Sequence, residues 1–192
     1  MITLVNRKNN NSNEEKEIVV VIDNDSNMYI EGNNWRFLFD NGFFGTLDLE
    51  NKRLKLADFE VLYLFDKKKI KVYYEKEDRY IDSLKELLGI LSKLNSDIWE
   101  IYLVYSDLRS RGYVIKEGIS EDIIFSVYGK GDNPIEVPPK FYVFKLSEGK
   151  PISLKNLRKI TQQALVSRKK LIIAVIDRQG DVTYYNVTPM VF

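Results

Sequence analysis

Residues 102–118 read YLVYSDLRSRGYVIKEG, and the division of the chain follows from them. Ile101, Tyr102, Tyr105 and Leu108 recur at the three-and-four spacing of an amphipathic helix. Asp107, Arg109, Ser110 and Arg111 fall off that stripe and are expected to face water or a partner. Gly112 is the expected helix stop, because glycine enters the left-handed conformation without a Cβ clash. Tyr113, Val114 and Ile115 then restart the chain as a strand.

Downstream of this junction, Ile123–Tyr128 (IIFSVY) and Phe141–Leu146 (FYVFKL) read as strands, joined by the turn-rich segment GKGDNPIEVPP. Ser153 is placed to cap a helix through Leu154, Leu157, Ile160, Ala164 and Leu165. Leu171–Ile176 (LIIAVI) has the continuous apolar character of a buried strand. Val182–Val187 alternates as its hairpin partner around the turn Asp177-Arg178-Gln179-Gly180-Asp181.

Upstream, EIVVVID (17–23) and Met28–Glu31 read as strands flanking an Asn-Asp-Ser-Asn turn. Asn33 or Asn34 can cap a short helix over Trp35–Asp40, with Gly42 as its stop. Leu47, Leu49, Leu54 and Leu56 alternate about Asn51-Lys52 as a small hairpin. Helices are expected through Phe59–Phe65 and Leu84–Leu91, the second capped by Asp82 or Ser83, with a strand at Ile70–Tyr74 between them. The aromatic group Trp35, Phe37, Phe39, Phe43 and Phe44 reads as core, since a base-stacking platform needs exposed rings on a sheet beside Lys or Arg. Residues 1–16 are Asn-rich and charged and read as a frayed arm. The break at Asn95-Ser96-Asp97 divides an α+β unit, residues 1–95, from a second mixed unit, residues 96–192.

Composition excludes several chemistries. Of 192 residues, 44% are hydrophobic, and 29 Lys+Arg balance 28 Asp+Glu to a net charge of +1, so any nucleic-acid contact must come from a local patch or a partner. No cysteine is present, which removes disulfides, thiolate metal sites and thiol nucleophiles. No histidine is present either, so the side chain best suited to proton transfer near neutral pH is missing. No apolar run reaches membrane-spanning length and no secretory leader is evident, so a cytoplasmic protein without a membrane partner is expected.

Three segments carry a family resemblance: LADFEVLYLFDKKKIKVY, YLVYSDLRSRGYVIKEG and SRKKLIIAVIDRQGDVTYY, in that order, with NGFFG upstream. From Leu56 to Val187 the chain resembles the archaeal tRNA-splicing endonucleases, the intron-excising RNA lyases. The resemblance implies two small mixed α+β domains, the C-terminal one a mixed sheet flanked by helices in the restriction-endonuclease-like manner, assembled as a dimer of dimers. It implies attack of the RNA's own 2′-hydroxyl on the adjacent phosphate, leaving 2′,3′-cyclic phosphate and 5′-hydroxyl ends, without metal or other cofactor. A Tyr, a His and a Lys perform this in the catalytic version. Carried over, the Tyr is Tyr113 and the Lys is Lys169, with Lys170 as the competitor. The His position falls on Ile124.

Isoleucine cannot move a proton, and the loss of a positioned acid or base costs roughly 10²–10⁴-fold in rate. Glu121 and Asp122 are expected to place two carboxylates where a phosphate must sit, and Gln162 stands where the catalytic version has a base-sandwiching Arg. The expectation is therefore a structural subunit, two copies joining two catalytic subunits in a heterotetramer acting on precursor tRNA at bulge-helix-bulge sites. Alternatives are an active nuclease using Tyr113 and Lys169 with a borrowed acid such as Glu121, and a stand-alone RNA-binding scaffold. The resemblance assigns Asp177, Gly180 and Asp181 to a contact with the opposite dimer, and Arg168 and Lys170 to RNA. The apolar tail with Val191 and Phe192 reads as a subunit interface, as exposed apolar edges commonly do. Tyr113 also fits a half-buried aromatic, Arg168–Lys170 a solvated helix end, and Asp177 and Asp181 ordinary turn residues.

Overall fold

A computed structural model describes residues 17–188, so the N-terminal arm and the tail that holds Val191 and Phe192 lie outside the described residues. The first half forms a six-stranded sheet from β1 (Val19–Ile22), β2 (Met28–Ile30), β3 (Thr46–Asp48), β4 (Arg53–Lys55), β5 (Lys71–Tyr74) and β6 (Arg79–Tyr80). Its order is β3-β4-β2-β1-β5-β6, with only β1 and β5 parallel. Helices α1 (Arg36–Gly42), α2 (Asp58–Asp66) and α3 (Leu84–Leu91) accompany it. Ser83 caps α3 by accepting from the Glu86 N–H at 3.2 Å, as the sequence suggests.

The second half begins with α4 (Ile98–Ser110) and forms a five-stranded sheet from β7 (Tyr113–Glu117), β8 (Ile123–Lys130), β9 (Phe141–Ser147), β10 (Lys170–Ile176) and β11 (Val182–Val187). The order β11-β10-β9-β8-β7 is antiparallel except between β9 and β10, whose connection carries α5 (Leu154–Val166). The result is the expected mixed α+β class, with the second sheet flanked by helices. Gly112 turns the chain from α4 into β7 at φ +87°.

α4 lies between the two halves. Its stripe buries Tyr102, Tyr105 and Leu108, and Tyr105 and Val104 are wholly enclosed. One core runs from Val20, Ile22 and Leu54 of the first sheet through Leu62 and Tyr105 to Phe125, Val143 and Ala174 of the second. A smaller cluster of Ile123, Tyr142, Phe144 and Leu171 packs beneath Ile160 and Ala164 of α5.

Three local expectations are corrected. The α1 stop is Phe43, not Gly42: Phe43 takes φ 54° and its N–H reaches the Phe39 carbonyl at 3.0 Å. No side chain caps the start of α1, where Trp35 rather than an Asn holds the cap position. Burial of the neighbouring Phe44 against Tyr63 and Arg109 outweighs the local preference. Arg109 does not face water, because its guanidinium lies 4.1 Å from the Phe44 ring centroid and donates to the Gly42 carbonyl at 2.9 Å.

The NGFFG stretch is held by Glu60, a carboxylate only 4% exposed. Its oxygens accept from the Gly45 N–H at 3.0 and 3.1 Å and from the Ala57 N–H at 3.0 Å. Lys116 of β7 donates to the Gly45 carbonyl at 2.6 Å. Burial pushes the Glu60 carboxyl up, against the pull of Lys116, the two backbone donors and Arg109. Removing one member of a buried charged network leaves the others unpaired, at about 3–5 kcal/mol. Glu60→Ala is therefore expected to lower unfolding free energy by about that amount in urea titration, with an unchanged slope showing that the two-state transition survives.

Candidate functional site

Strand register decides which residues meet. Tyr113 pairs with Lys130, Val127 with Phe141, and Phe141 with Lys170. The starts of β7, β9 and β10 and the end of β8 therefore share one end of the second sheet, where Lys169 enters β10. Ile124 lies at the other end, where Glu117 pairs with Phe125. Six residues separate Ile124 from Lys130, about 20 Å at strand rise. The structure brings Tyr113 and Lys169 to one edge and does not bring Ile124 to them.

The faces of the sheet divide Tyr113 from Lys169 as well. The Tyr113 ring packs on the principal core, edge-on to Phe141 at 5.7 Å between centroids, with the Lys130 ammonium 5.9 Å from it. That is the α4 side. Tyr142 and Leu171 belong to the α5-side cluster and pair with each other. Lys169 precedes Leu171 by two residues, so alternation sets it on the α5 side too. Tyr128 follows Ser126, the partner of Tyr142, by two residues and lies on that same face. Burial, with neighbouring Tyr142, raises the Tyr128 hydroxyl above its ordinary pKa. Tyr128, absent from the sequence-level set, is the β8 tyrosine that shares face and edge with Lys169. The alternation of IIFSVY carried that signal, but only pairing register reveals which end of the sheet it serves.

Lys169 is set by a left-handed helix end of the same form that Lys68 and Lys69 give α2. Arg168 adopts φ 54°, its N–H bonds to the Leu165 carbonyl, and the Lys169 N–H bonds to the Ala164 carbonyl, each at 2.9 Å. This pair of bonds terminates helices that usually place glycine in the left-handed position. An arginine there stores about 1–3 kcal/mol of backbone strain, as the lysine at position 68 does after α2. Arg168 and Lys170 are exposed.

The acidic loop before β8 does not oppose a phosphate at this edge. Asp122 accepts from Lys159 at 2.8 Å and from the Asn156 amide at 3.3 Å, and the Lys159 bond holds its carboxyl below the usual range. Asn156 lies near the start of α5, about 15 Å along the helix from its end at Val166. Glu121 and Ile124 instead line a cleft of about 780 Å³ between the halves, together with Lys55, Asp58 and Glu117. Gln162 is exposed on α5. Among the described residues no group of three or more acidic or other ligating side chains is arranged to hold a metal.

At the far end, the turn 177–181 is built on Asp177. Its carboxylate accepts from the Gln179 and Asp181 N–H groups, each at 2.9 Å, and the Arg178 N–H donates to Glu148 at 3.2 Å. Gly180, at φ +92°, sits against Leu103 of α4 rather than on a detached tip, since a Cβ there would stand 3.3 Å from Leu103 Cδ1. Asp181 is exposed. The edge strand β11 is tied to α4, where the Tyr184 hydroxyl donates to Asp107 at 2.7 Å and Arg111 grips the same carboxylate at 2.9 and 3.2 Å. Asp177→Ala is expected to cost about 1–2 kcal/mol in thermal unfolding, because two backbone N–H groups would go without their acceptor. Asp181→Asn is expected to leave the melting temperature unchanged.

Comparison with known proteins adds an independent line. The tRNA intron endonuclease N-terminal domain matches residues 15–85, and the tRNA intron endonuclease catalytic C-terminal domain matches residues 98–184. Relatives named tRNA-splicing endonuclease include that of Methanococcus vannielii, 34% identical over 140 residues, covering 73% of this chain and 77% of that protein. The Pyrococcus furiosus protein of the same name is 32% identical over 140 residues, covering 73% and 78%. That of Methanococcoides burtonii is 31% identical over 150 residues, covering 78% of this chain, which spans only 40% of that longer protein.

Proposed function

The chain belongs to the tRNA-splicing endonuclease family, and from that premise we propose that it is the structural subunit of a heterotetramer, two copies joined to two catalytic subunits. Its substrate in that assembly is precursor tRNA, cut at bulge-helix-bulge sites to leave 2′,3′-cyclic phosphate and 5′-hydroxyl ends, and its place of work is the cytoplasm. One observation carries the reading: the chain contains no histidine anywhere. Transfer of a proton to the departing 5′-oxygen needs a group that is part-protonated near neutral pH, and imidazole is the side chain whose unperturbed pKa meets that need. Imidazole is missing from every position alike, so the placement of Ile124 away from Lys169 leaves this deficit intact.

Two parts of the expected chemistry have support in place. Lys169 carries a cation at the sheet edge and Tyr128 a hydroxyl on the same face, so we assign the vestigial tyrosine role to Tyr128 in preference to Tyr113. We divide the chain at residues 95 and 96, where the break between α3 and α4 falls. The 177–181 turn is assigned to the contact with the opposite dimer through exposed Arg178, Gln179 and Asp181, with Asp177 serving the turn itself. The β11 edge, continued by the tail with Val191 and Phe192, is assigned to the catalytic partner.

The purified chain is expected to leave a bulge-helix-bulge RNA uncut at neutral pH, and co-expression with a relative that carries the complete Tyr, His and Lys set is expected to give a cleaving complex with the mass of a tetramer. Turnover by the pure chain, abolished by Tyr128→Phe, would replace this reading with that of an active nuclease. Within the complex, Asp181→Asn is expected to shift the tetramer towards dimers on dilution in sedimentation velocity, at unchanged subunit folding; persistence to the wild-type dilution would remove the turn from the interface.

A further inference from the structure

We propose that the outer face of α5 is a phosphate track that binds the backbone of a helical RNA segment, over the length of the helix and away from the point of cleavage. The inference rests on the family reading, which makes RNA the polyanion available to this chain. Its first support is charge segregation. The α5 sequence LKNLRKITQQALV contains no Asp or Glu but carries Lys155, Arg158 and Lys159, and the cations Arg168, Lys169 and Lys170 follow directly. The chain as a whole balances 29 basic against 28 acidic residues. Six cations without an intervening carboxylate are a local departure from that balance.

Pairing within the protein consumes only one of them. Lys159 is neutralised by Asp122 at 2.8 Å. Lys155, Arg158, Arg168, Lys169 and Lys170 form no ion pair among the described residues, and all but Lys169 are exposed. Their placement is linear. Lys155, Arg158 and Gln162 follow one another at helical three-and-four spacing, so they form one ridge that ends towards Arg168 and Lys169. From Lys155 to Gln162 this ridge runs about 10 Å, on a helix about 20 Å long.

A shallow groove of about 520 Å³ accompanies the ridge, lined by Lys155, Arg158, Gln162 and Gln163 among others. The Gln163 amide oxygen is buried without a hydrogen-bond partner. Turning it outward costs no existing bond at that oxygen, and a ribose 2′-hydroxyl is a donor that fits it.

The arrangement favours RNA over a protein partner. Protein interfaces deplete charge at their centre and carry it at the rim. On α5 the cations and glutamines occupy positions 155–163 of the exposed face, with exposed apolar Leu154 before them and Leu165 and Val166 after them, and Ile119 joins the groove lining from the loop before β8. The ridge also leads to the edge that presents Lys169 and Tyr128, so an RNA stem lying along it would pass from that edge onto the body of this subunit.

The test uses the full chain and a short fluorescent RNA duplex, with anisotropy read between about 50 and about 200 mM salt, the range over which phosphate contacts change affinity most. The variant Lys155→Gln with Arg158→Gln is compared with Lys68→Gln and Lys69→Gln, an exposed control pair of equal charge on the opposite half. Removing one phosphate-binding cation lowers the salt slope by about one, so the α5 variant is expected to bind more weakly with a slope reduced by about two, the control retaining the wild-type slope. Equal slopes for wild type, variant and control would overturn the track while leaving the family reading in place. Reduced co-assembly of the α5 variant with the catalytic subunit, at unchanged RNA binding, would also overturn it in favour of a protein contact. Failure of the wild-type chain and of its complex with the catalytic subunit to bind RNA at the lowest salt would overturn both. A DNA duplex of the same sequence binding equally well would remove the Gln163 contact to ribose.

Discussion

Glu60 is the point through which the two halves of the molecule hold each other. A buried carboxylate is expensive unless it is fully engaged, and this one is engaged from both sides. It takes the N–H of Gly45 from the chain entering β3 and the N–H of Ala57 from the start of its own helix, and Lys116 approaches from β7 across the junction. Arg109 completes the arrangement by stacking on Phe44 and bonding to Gly42. The NGFFG stretch thus serves as the surface on which α2, α4 and β7 meet. Gly45 can be nothing larger: at φ +69° a Cβ would stand 2.5 Å from the Lys55 carbonyl oxygen.

Because α4 is clamped there at its C-terminal end, the path of β7 is determined, and with it the order of the second sheet. Tyr105 and Leu108 face the same core that receives Phe125 and Val143. On the far side Asp107 and Arg111 hold Tyr184 of β11, so α4 touches both edges of the sheet. A helix held on these sides cannot rotate or slide independently, although Trp99 and Ser110 are exposed on its remaining face.

Elements were legible in the sequence wherever a local rule governed them. Ser83 and Ser153 cap their helices, Gly112 and Gly180 take positive φ, and the alternation of Leu47 and Leu54 became a paired hairpin. What remained hidden were features decided by distant contacts. Arg109 lies off the apolar stripe, yet an aromatic ring beyond the end of another helix draws it inward. Phe43 carries the helix stop because Phe44 must turn into the core, and Arg168 takes a left-handed conformation that a sequence pattern assigns to glycine. The candidate site was the least legible part. Tyr113, Ile124 and Lys169 look like one set in sequence order, but antiparallel pairing places the start of β7 beside the end of β8. A residue at the beginning of β8 is thereby carried the full length of the strand away from Tyr113.

The same topology separates charge within a molecule whose net charge is close to zero. Parallel pairing of β9 with β10 requires a crossover, and α5 is that crossover, so its outer face is exposed along its whole length and ends where Lys169 enters the sheet. The loop from β7 to β8 and the turn from β10 to β11 both open at the opposite end, bringing Glu117, Glu121, Asp122, Asp177 and Asp181 there. Sequence composition averages these two populations to nothing. The fold sets Arg168, Lys169 and Lys170 about one strand length from the acidic end, beyond a Debye length at physiological salt, while Lys155, Arg158 and Lys159 begin α5 beside Asp122. A chain without an overall basic field can still present cations to a polyanion at both ends of α5, Lys155 and Arg158 at its start and Arg168, Lys169 and Lys170 past its end, with the uncharged stretch 160–167 between them.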